Sequence, residues 1–285
     1  MYHLPTSKCL QVFVGHEAGG ADGGGGVTAG CFTPDGKFAV SVGMDGTMRI
    51  WAPRSGMCKH IFRLIDDDAG LTCMGVGGGN DGQLAITGGE NGSAYICHLQ
   101  GKKLVATLRH FDDSGRSMQV ENEDEEVMDL RSIEAVAFAP QGVNSNWAVT
   151  GGADGSLKIW DLSHEAQCRQ TCKVSQDSEG DTNNSGALVG AITQLKWHPF
   201  LPLIFASYAS DIVRLWDARD GTLLHSVTGG STVDNQINDM SIEFVFADDE
   251  RNSAGIAIIV TANDDKSVKV YEVDIANVIA ASRSS

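Results

Sequence analysis

The sequence predicts an all-β fold assembled from one small unit that occurs five times. The first observation is a seven-residue pattern. It appears as Asp45-Gly-Thr-Met-Arg-Ile-Trp51, Asn91-Gly-Ser-Ala-Tyr-Ile-Cys97, Asp154-Gly-Ser-Leu-Lys-Ile-Trp160, Ser210-Asp-Ile-Val-Arg-Leu-Trp216 and Asp265-Lys-Ser-Val-Lys-Val-Tyr271. The second is that apolar residues stand one and three positions before each endpoint, the period of two that belongs to a strand. The third is a small polar residue ten positions before the endpoint, at Ser41, Thr87, Thr150 and Thr261, with Ala206 the exception.

Each unit reads in order as a strand, a turn of the Pro-Asp-Gly kind, a second strand, an Asp-Gly turn and a third strand that ends at the aromatic residue. The first unit is the clearest, with strands over Val27–Phe32, Phe38–Val42 and Thr47–Trp51. Asp-Gly and Asn-Gly between alternating strands signal hairpins, since both turn residues can adopt positive φ. The endpoints at 51, 97, 160, 216 and 271 are spaced by 46, 63, 56 and 55 residues. A bare unit of this kind needs about 40–45 residues, so the excess leaves as loops. The units occupy about 27–62, 71–108, 132–172, 191–227 and 237–273, and 274–285 form a C-terminal tail. Tyr2 lies 49 residues before Trp51 and takes an endpoint position, so 1–16 read as the remnant of another unit. A four-stranded blade cannot bury both faces alone, and stacking blades radially, as in a β-propeller over 1–273, solves this. A start inside a strand leads to the expectation of a larger ring shortened at its N-terminus, with five-bladed closure as the alternative. An open ring exposes strand edges and is expected to self-associate.

Trp160-Asp161 and Trp216-Asp217 supply the dipeptide by which the chain resembles the WD40 repeat family. The resemblance implies that the polar residue at −6, a Gly-His before the blade, the Ser/Thr at −10 and the tryptophan bond together. Asp45, Trp51, Asp154, Trp160, Trp216 and Asp265 are therefore read as structural. Gly15-His16 serves the first complete repeat, and later repeats lack a clean Gly-His.

Composition narrows the partners. The 285 residues carry 21 Lys+Arg against 37 Asp+Glu, a net charge of −16. Such a surface repels nucleic acid and anionic lipid and attracts basic protein segments. Acid runs at Asp66-Asp67-Asp68, between Glu121 and Asp129, and at Asp248-Asp249-Glu250 fall between repeats and read as solvated insertions. The stretches 19–26 and 175–186 read as flexible insertions without motif chemistry. No apolar run approaches the roughly 18 residues of a membrane span, and the N-terminus lacks a signal-peptide layout. The seven cysteines mostly fall inside strands and read as small buried hydrophobes of a reducing compartment, cytoplasmic or nuclear. Cys168 and Cys172 have no matching second pair, so no zinc site is expected, and no cofactor.

Catalytic motifs are missing. Gly77-Gly-Gly-Asn-Asp-Gly82 matches G-x-G-x-x-G formally, but it joins two strands and opens no helix. The eight histidines are scattered, and no acid pair is placed across a cleft. A non-enzyme is expected.

Two acids stand apart from the runs. Glu134 in Ile133-Glu-Ala-Val-Ala-Phe138 and Asp239 in Ile237-Asn-Asp-Met-Ser-Ile242 lie near the start of a first strand, where Thr28, Thr72 and Thr193 are the counterparts of Glu134. A carboxylate there escapes desolvation by reaching water or a cation; the structural alternative is that each caps a neighbouring turn. Glu90 and Asp264 precede the −6 residues and are expected at the same mouth, so the four form an acidic collar for a protein partner. The stretches Ser210–Leu224 and Val40–Trp51, with the order of degenerate repeats, resemble the family of angio-associated migratory cell protein. That resemblance implies an acidic binding protein, because a fungal relative is a chaperone dedicated to a large-subunit ribosomal protein. The expected partner is then a basic ribosomal-protein segment, held without direct nucleic-acid or membrane contact. The rival reading is a generic WD40 scaffold for signalling, cell migration or ubiquitin-ligase complexes.

Overall fold

A computed structural model describes residues 2–3, 8–17, 26–66, 69–111, 131–163, 165–173, 190–230, 235–246 and 254–283. The acid runs 121–129 and 248–250, the stretch 175–186 and nearly all of 19–26 lie outside the described residues, as do Asp67 and Asp68. The chain divides into two compact units, Met1–Phe138 and Ala139–Ser285.

In the first unit, β1 (Tyr2–His3) and β2 (Lys8–Cys9) form a two-stranded ladder. β3 (Val27–Phe32), β4 (Ala39–Gly43), β5 (Thr47–Trp51) and β6 (Cys58–Arg63) form an antiparallel sheet in chain order. β7 (Leu71–Gly78), β8 (Leu84–Gly89), β9 (Ser93–His98) and β10 (Lys103–Arg109) repeat that arrangement, and β11 (Ile133–Phe138) ends the unit. In the second unit β12 (Trp147–Gly152), β13 (Leu157–Asp161) and β14 (Gln167–Cys172) run antiparallel. β15 (Ile192–Trp197), β16 (Leu203–Tyr208), β17 (Ile212–Asp217) and β18 (Leu223–Thr228) form a four-stranded sheet. β19 (Ile237–Val245), β20 (Ile256–Asn263) and β21 (Val268–Asp274) form a three-stranded one, followed by α1 (Ile275–Ser282). All five sequence endpoints thus sit in third strands: β5, β9, β13, β17 and β21.

Apolar residues of adjacent sheets make the cores. Val40, Met48 and Phe62 pack with Leu71, Ala85 and Cys97 in the first unit. Phe205, Val213 and Leu215 pack with Met240, Ile259 and Ile275 in the second. Gly88 and Gly151, both nine positions before an endpoint, permit the close approach. A Cβ at Gly88 would stand 2.6 Å from Ile133, and one at Gly151 would stand 2.6 Å from Ile192.

The second turn differs from the sequence expectation in one respect. Only its second residue is left-handed: Gly46 (φ 66°), Gly92 (φ 78°), Gly155 (φ 73°), Asp211 (φ 59°) and Lys266 (φ 66°). The hydrogen bonds Gly46 N to Gly43 O and Gly92 N to Gly89 O show why, since the tight turn begins three residues earlier and the left-handed residue closes it. Asp211 and Lys266 hold a backbone conformation that favours glycine.

The first repeat carries a complete hydrogen-bond chain. Trp51 Nε1 donates to Ser41 Oγ at 2.8 Å, Ser41 Oγ meets His16 Nε2 at 2.7 Å, and His16 Nδ1 meets Asp45 Oδ1 at 2.9 Å. Indole only donates and carboxylate only accepts, so tryptophan donates to serine and histidine to aspartate, and a neutral imidazole then accepts from serine. Burial opposes ionisation of Asp45, yet bonds from His16, Thr47 and the Glu17 amide hold its carboxyl at about 2. In the third repeat, Trp160 Nε1 donates to Thr150 Oγ1 at 2.9 Å, and Asp154 accepts the Ser156 amide and the Lys173 ammonium. In the fourth, Ala206 removes the hydroxyl, and the buried Arg214 guanidinium lies 4.8 Å from the ring centre of the buried Tyr208. In the fifth, Asn235 takes the place of the histidine and exchanges two 3.1 Å bonds with Asp265.

The cysteines divide. All seven lie in strands, but only Cys97 and Cys172 are buried, and Cys9, Cys58 and Cys168 are exposed. Cys58 and Cys168 are exposed and lie at or next to the start of outer fourth strands, opposite Trp51 and Trp160.

Two predictions concern this framework. Replacing Ser41 by Ala strands the Trp51 indole and the His16 ring together, and it should cost about 2 kcal/mol in denaturant unfolding; a loss within error of zero overturns the role of the chain. His198 is fully buried: its Nδ1 accepts the amides of Phe200 and Leu201, and its Nε2 donates to Ala254 O. Burial lowers its pKa, partly offset by the Ala254 carbonyl. The fold therefore binds the neutral ring, so the contribution is complete above about pH 6.5 and falls as pH drops below it. His198→Asn should flatten the decline of melting temperature between about pH 7 and 5, and an unchanged slope overturns the assignment.

Candidate functional site

Each first strand opens with a large aliphatic residue: Val27, Leu71, Ile133, Ile192 and Ile237. The residue after it is skipped in the pairing of β3, β7, β15 and β19 with their second strands. Such a bulge turns a side chain away from the ladder. Thr28 Oγ1 uses this freedom to donate to Leu71 O at 2.6 Å, and Thr72 Oγ1 likewise donates to Ile133 O. These are stitches from one repeat to the start of the next. Thr193 Oγ1 instead meets Ser207 Oγ at 2.8 Å.

Glu134 stands at the same second position of β11. A carboxylate cannot donate, so it cannot make the stitch that Thr28 and Thr72 make. It is half-buried, and no cation pairs with it among the described residues. Its charge reaches Cys73, whose thiol is pushed up to about 12 chiefly by burial and further by Glu134. Glu90 lies at the same end of β7, where its Oε2 accepts the Gly70 amide at 2.6 Å while its own amide donates to Gly70 O.

In the second unit Asp239 is exposed and lies one position later than the Glu134 site. Its Oδ1 accepts the Met240 amide at 2.9 Å and the amide side chain of Gln194. Gln194 Oε1 accepts the same Met240 amide at 3.3 Å. Asp264 accepts Asn238 Nδ2 at 2.6 Å, and its backbone amide donates to Gln236 O. The structure thus brings Asp239 and Asp264 to one end of the β19–β20 pair, each held by a side-chain amide of its own, Gln194 and Asn238. Glu90 and Glu134 share the corresponding end of β7 and β11. The two pairs belong to different units. Asp239, Asp264 and Glu90 each accept a hydrogen bond from an amide group; Glu134 has no such bond among the described residues. Among those residues, no group of three or more His, Cys, Asp or Glu side chains is placed to hold a metal ion.

Several partners escaped the sequence. Asn235 lies 30 residues before Asp265, much as His16 lies 29 before Asp45, and that spacing was the available signal. Lys269 Nζ pairs with Asp211 Oδ2 at 2.6 Å, both largely buried, across 58 residues of chain. No local pattern announces that pair.

Comparison with known proteins agrees with this geometry. The family profile described as WD domain, G-beta repeat matches residues 7–52 and 131–161. Those are the stretches that hold the Trp51 and Trp160 hydrogen bonds. Angio-associated migratory cell protein of Homo sapiens is 29% identical over 272 residues, covering 95% of this chain and 52% of that protein. The Canis lupus familiaris protein gives the same figures. An uncharacterized WD repeat-containing protein of Schizosaccharomyces pombe is 23% identical, covering 79% of this chain and 48% of its own. Among solved structures, Saccharomyces cerevisiae Sqt1 superposes with a TM-score of 0.65 at 16% identity, over 87% of this chain and 60% of that one. That likeness bears on the fold alone: the sheets are antiparallel blades of the propeller kind. No described helix is long and apolar enough to cross a membrane. The chain carries WD40 repeats and is homologous to angio-associated migratory cell protein, of whose length it spans about half.

Proposed function

We propose that this WD40 binding protein holds a basic, extended polypeptide segment at its acidic strand starts, with Glu134 as the principal contact. The observation that carries the reading is the substitution of a donor by a lone acceptor at Glu134. Where Thr28 and Thr72 close a bond within the protein, Glu134 offers a half-buried carboxylate with no cation beside it among the described residues. A half-buried charge left so is costly, and a guanidinium or ammonium group brought by a partner relieves that cost. Asp239 and Asp264 are exposed acids held in place by Gln194 and Asn238, so little ordering is needed on binding. The net charge of −16 adds long-range attraction for a cationic chain.

The sequence resemblance to a family with a ribosomal-protein chaperone supports a finer form of this reading. Newly made ribosomal proteins carry basic unfolded tails, and an acidic protein that screens such a tail keeps it from aggregating before assembly of the large subunit. The activity is one of capture and release and involves no bond-making chemistry. The place of action is the cytoplasm, where ribosomal proteins are made, or the nucleus, where they are delivered.

The test is fluorescence anisotropy of a labelled lysine- and arginine-rich peptide against the protein over a salt series. Affinity should fall steeply as salt rises, and Glu134→Lys with Asp239→Lys should weaken binding by about tenfold or more at low salt. Intact affinity in the charge-reversed variant, or a flat salt response, overturns the proposal and favours a scaffold that binds folded partners.

A further inference from the structure

The chain holds 37 Asp+Glu against 21 Lys+Arg, yet one part of the first unit reverses that balance. Residues 54–63 carry Arg54, Lys59 and Arg63, residues 99–109 carry Lys102, Lys103 and Arg109, and neither stretch contains an acid. The two stretches include β6 and β10, the outer strands of consecutive sheets, and these cations are all exposed. Both belong to one surface. Phe62 of β6 packs in the same core as Leu99, which opens the turn before β10. The His60 ring stands edge-on to Phe62 at 4.5 Å. Burial lowers the His60 pKa and the positive charge of Lys102 lowers it further, so the Lys102 ammonium acts directly on β6.

Three observations separate this rim from an ordinary solvated edge. Elsewhere cations such as Lys37, Lys173, Arg219 and Lys269 sit on Asp35, Asp154, Asp217 and Asp211. Lys59, Arg63, Lys102 and Lys103 pair with no carboxylate among the described residues, and Asp81 at the border faces His98 at 3.3 Å. Next, Lys102 has φ 50°, a left-handed backbone that favours glycine. The same place, two residues before the partner of the endpoint, is Gly56 in the first repeat and Gly221 in the fourth. A lysine stands there against the local preference. Finally, an outer strand of this chain does not require such charge: β18 has no Lys or Arg. β6 and β10 instead set their cations among the exposed Ile61, Leu104 and Val105, which works against a purely protective role.

We propose that the rim of β6 and β10 docks an acidic, extended polypeptide segment, with Lys59, Lys102 and Lys103 taking its carboxylates and Ile61 and Leu104 its apolar side chains. Charge complementarity calls for an anionic occupant, and two arguments choose a polypeptide. An outer strand presents backbone donors and acceptors together, which another polypeptide can match, whereas a phosphate backbone offers acceptors only. Charges are screened over about 8–10 Å at physiological salt, so a short acidic segment feels the rim alone. A long polyanion or an anionic bilayer also meets the rest of a protein of net charge −16. The occupant is opposite in sign to the one drawn by Glu134, and it lies on different strands, so neither reading depends on the other.

The full chain is titrated into a labelled peptide of alternating Glu and Val, and binding is followed by anisotropy. Affinity should be measurable at low salt and fall as salt rises. Lys59→Glu with Lys102→Glu and Lys103→Glu should weaken it by about tenfold or more. The milder set Lys59→Gln, Lys102→Gln and Lys103→Gln should weaken it in the same direction with the melting temperature unchanged, because all three side chains are exposed. Glu134→Lys should leave this affinity within about twofold, which keeps the rim distinguishable from the acidic strand starts. A wild-type chain that does not bind the peptide overturns the proposal, as does equal affinity in the charge-reversed set. Loss of binding that comes with unfolding in both sets overturns it too, since the lysines are then structural. Tighter binding of phosphatidylserine vesicles or of a single-stranded oligonucleotide, lost in the same variants, overturns it in favour of a membrane or nucleic-acid surface.

Discussion

A buried indole N–H has one donor and no way to accept, and much of the first repeat is arranged around meeting that requirement. Trp51 reaches Ser41, Ser41 reaches His16, and His16 reaches Asp45, whose carboxylate also takes the Glu17 and Thr47 amides and the Arg49 guanidinium. The chain joins the segment before the blade to its second strand, to the second turn and to the third strand. One side-chain network thereby fixes elements whose backbones do not all pair with one another, and its links strengthen one another in a dry environment. The left-handed residue after Asp45 belongs to the same device, because it bends the turn so that the carboxylate faces back over the blade.

The repeats solve this requirement unequally. The third keeps tryptophan and threonine but ties Asp154 to Lys173. The second gives up the tryptophan for Cys97 and returns the freed Thr87 hydroxyl to Cys73 O at 2.8 Å. The fourth loses the hydroxyl and draws its aspartate from the next position, where Asp211 meets Lys269. Thr87, Asp154 and Asp211 find different partners, which is why the endpoints stay recognisable while the residues behind them drift.

How much was legible follows from the range of each interaction. Strands, turns and endpoints are set by neighbours within ten residues, so the period of two and the Asp-Gly turns revealed β4, β5, β12 and β13 directly. The stitches from Thr28 and Thr72 run to carbonyls 43 and 61 residues away, and only the offset of Glu134 from the threonine pattern hinted at them. The bond from Gln194 to Asp239 spans 45 residues between different strands and leaves no mark in the local sequence. The cysteines were read by residue type alone, and type does not tell an inner third strand from an outer fourth one. Cys97 and Cys58 therefore have opposite surroundings.

The stitches have a consequence for how such a chain can change over evolutionary time. Thr28 and Thr72 address backbone carbonyls, and every residue possesses one. Adjacency between repeats in the first unit therefore does not depend on the identity of the residue that accepts. The side chains at Leu71 and Ile133 remain free to vary in shape within the limits of packing, and the interior of each blade can be revised without renegotiating its border. A Trp-to-Cys exchange at position 97, or a carboxylate at position 134, is then a local event. Innovation in one repeat need not be answered in the next, which makes a chain of unequal copies a permissive substrate for acquiring new surfaces.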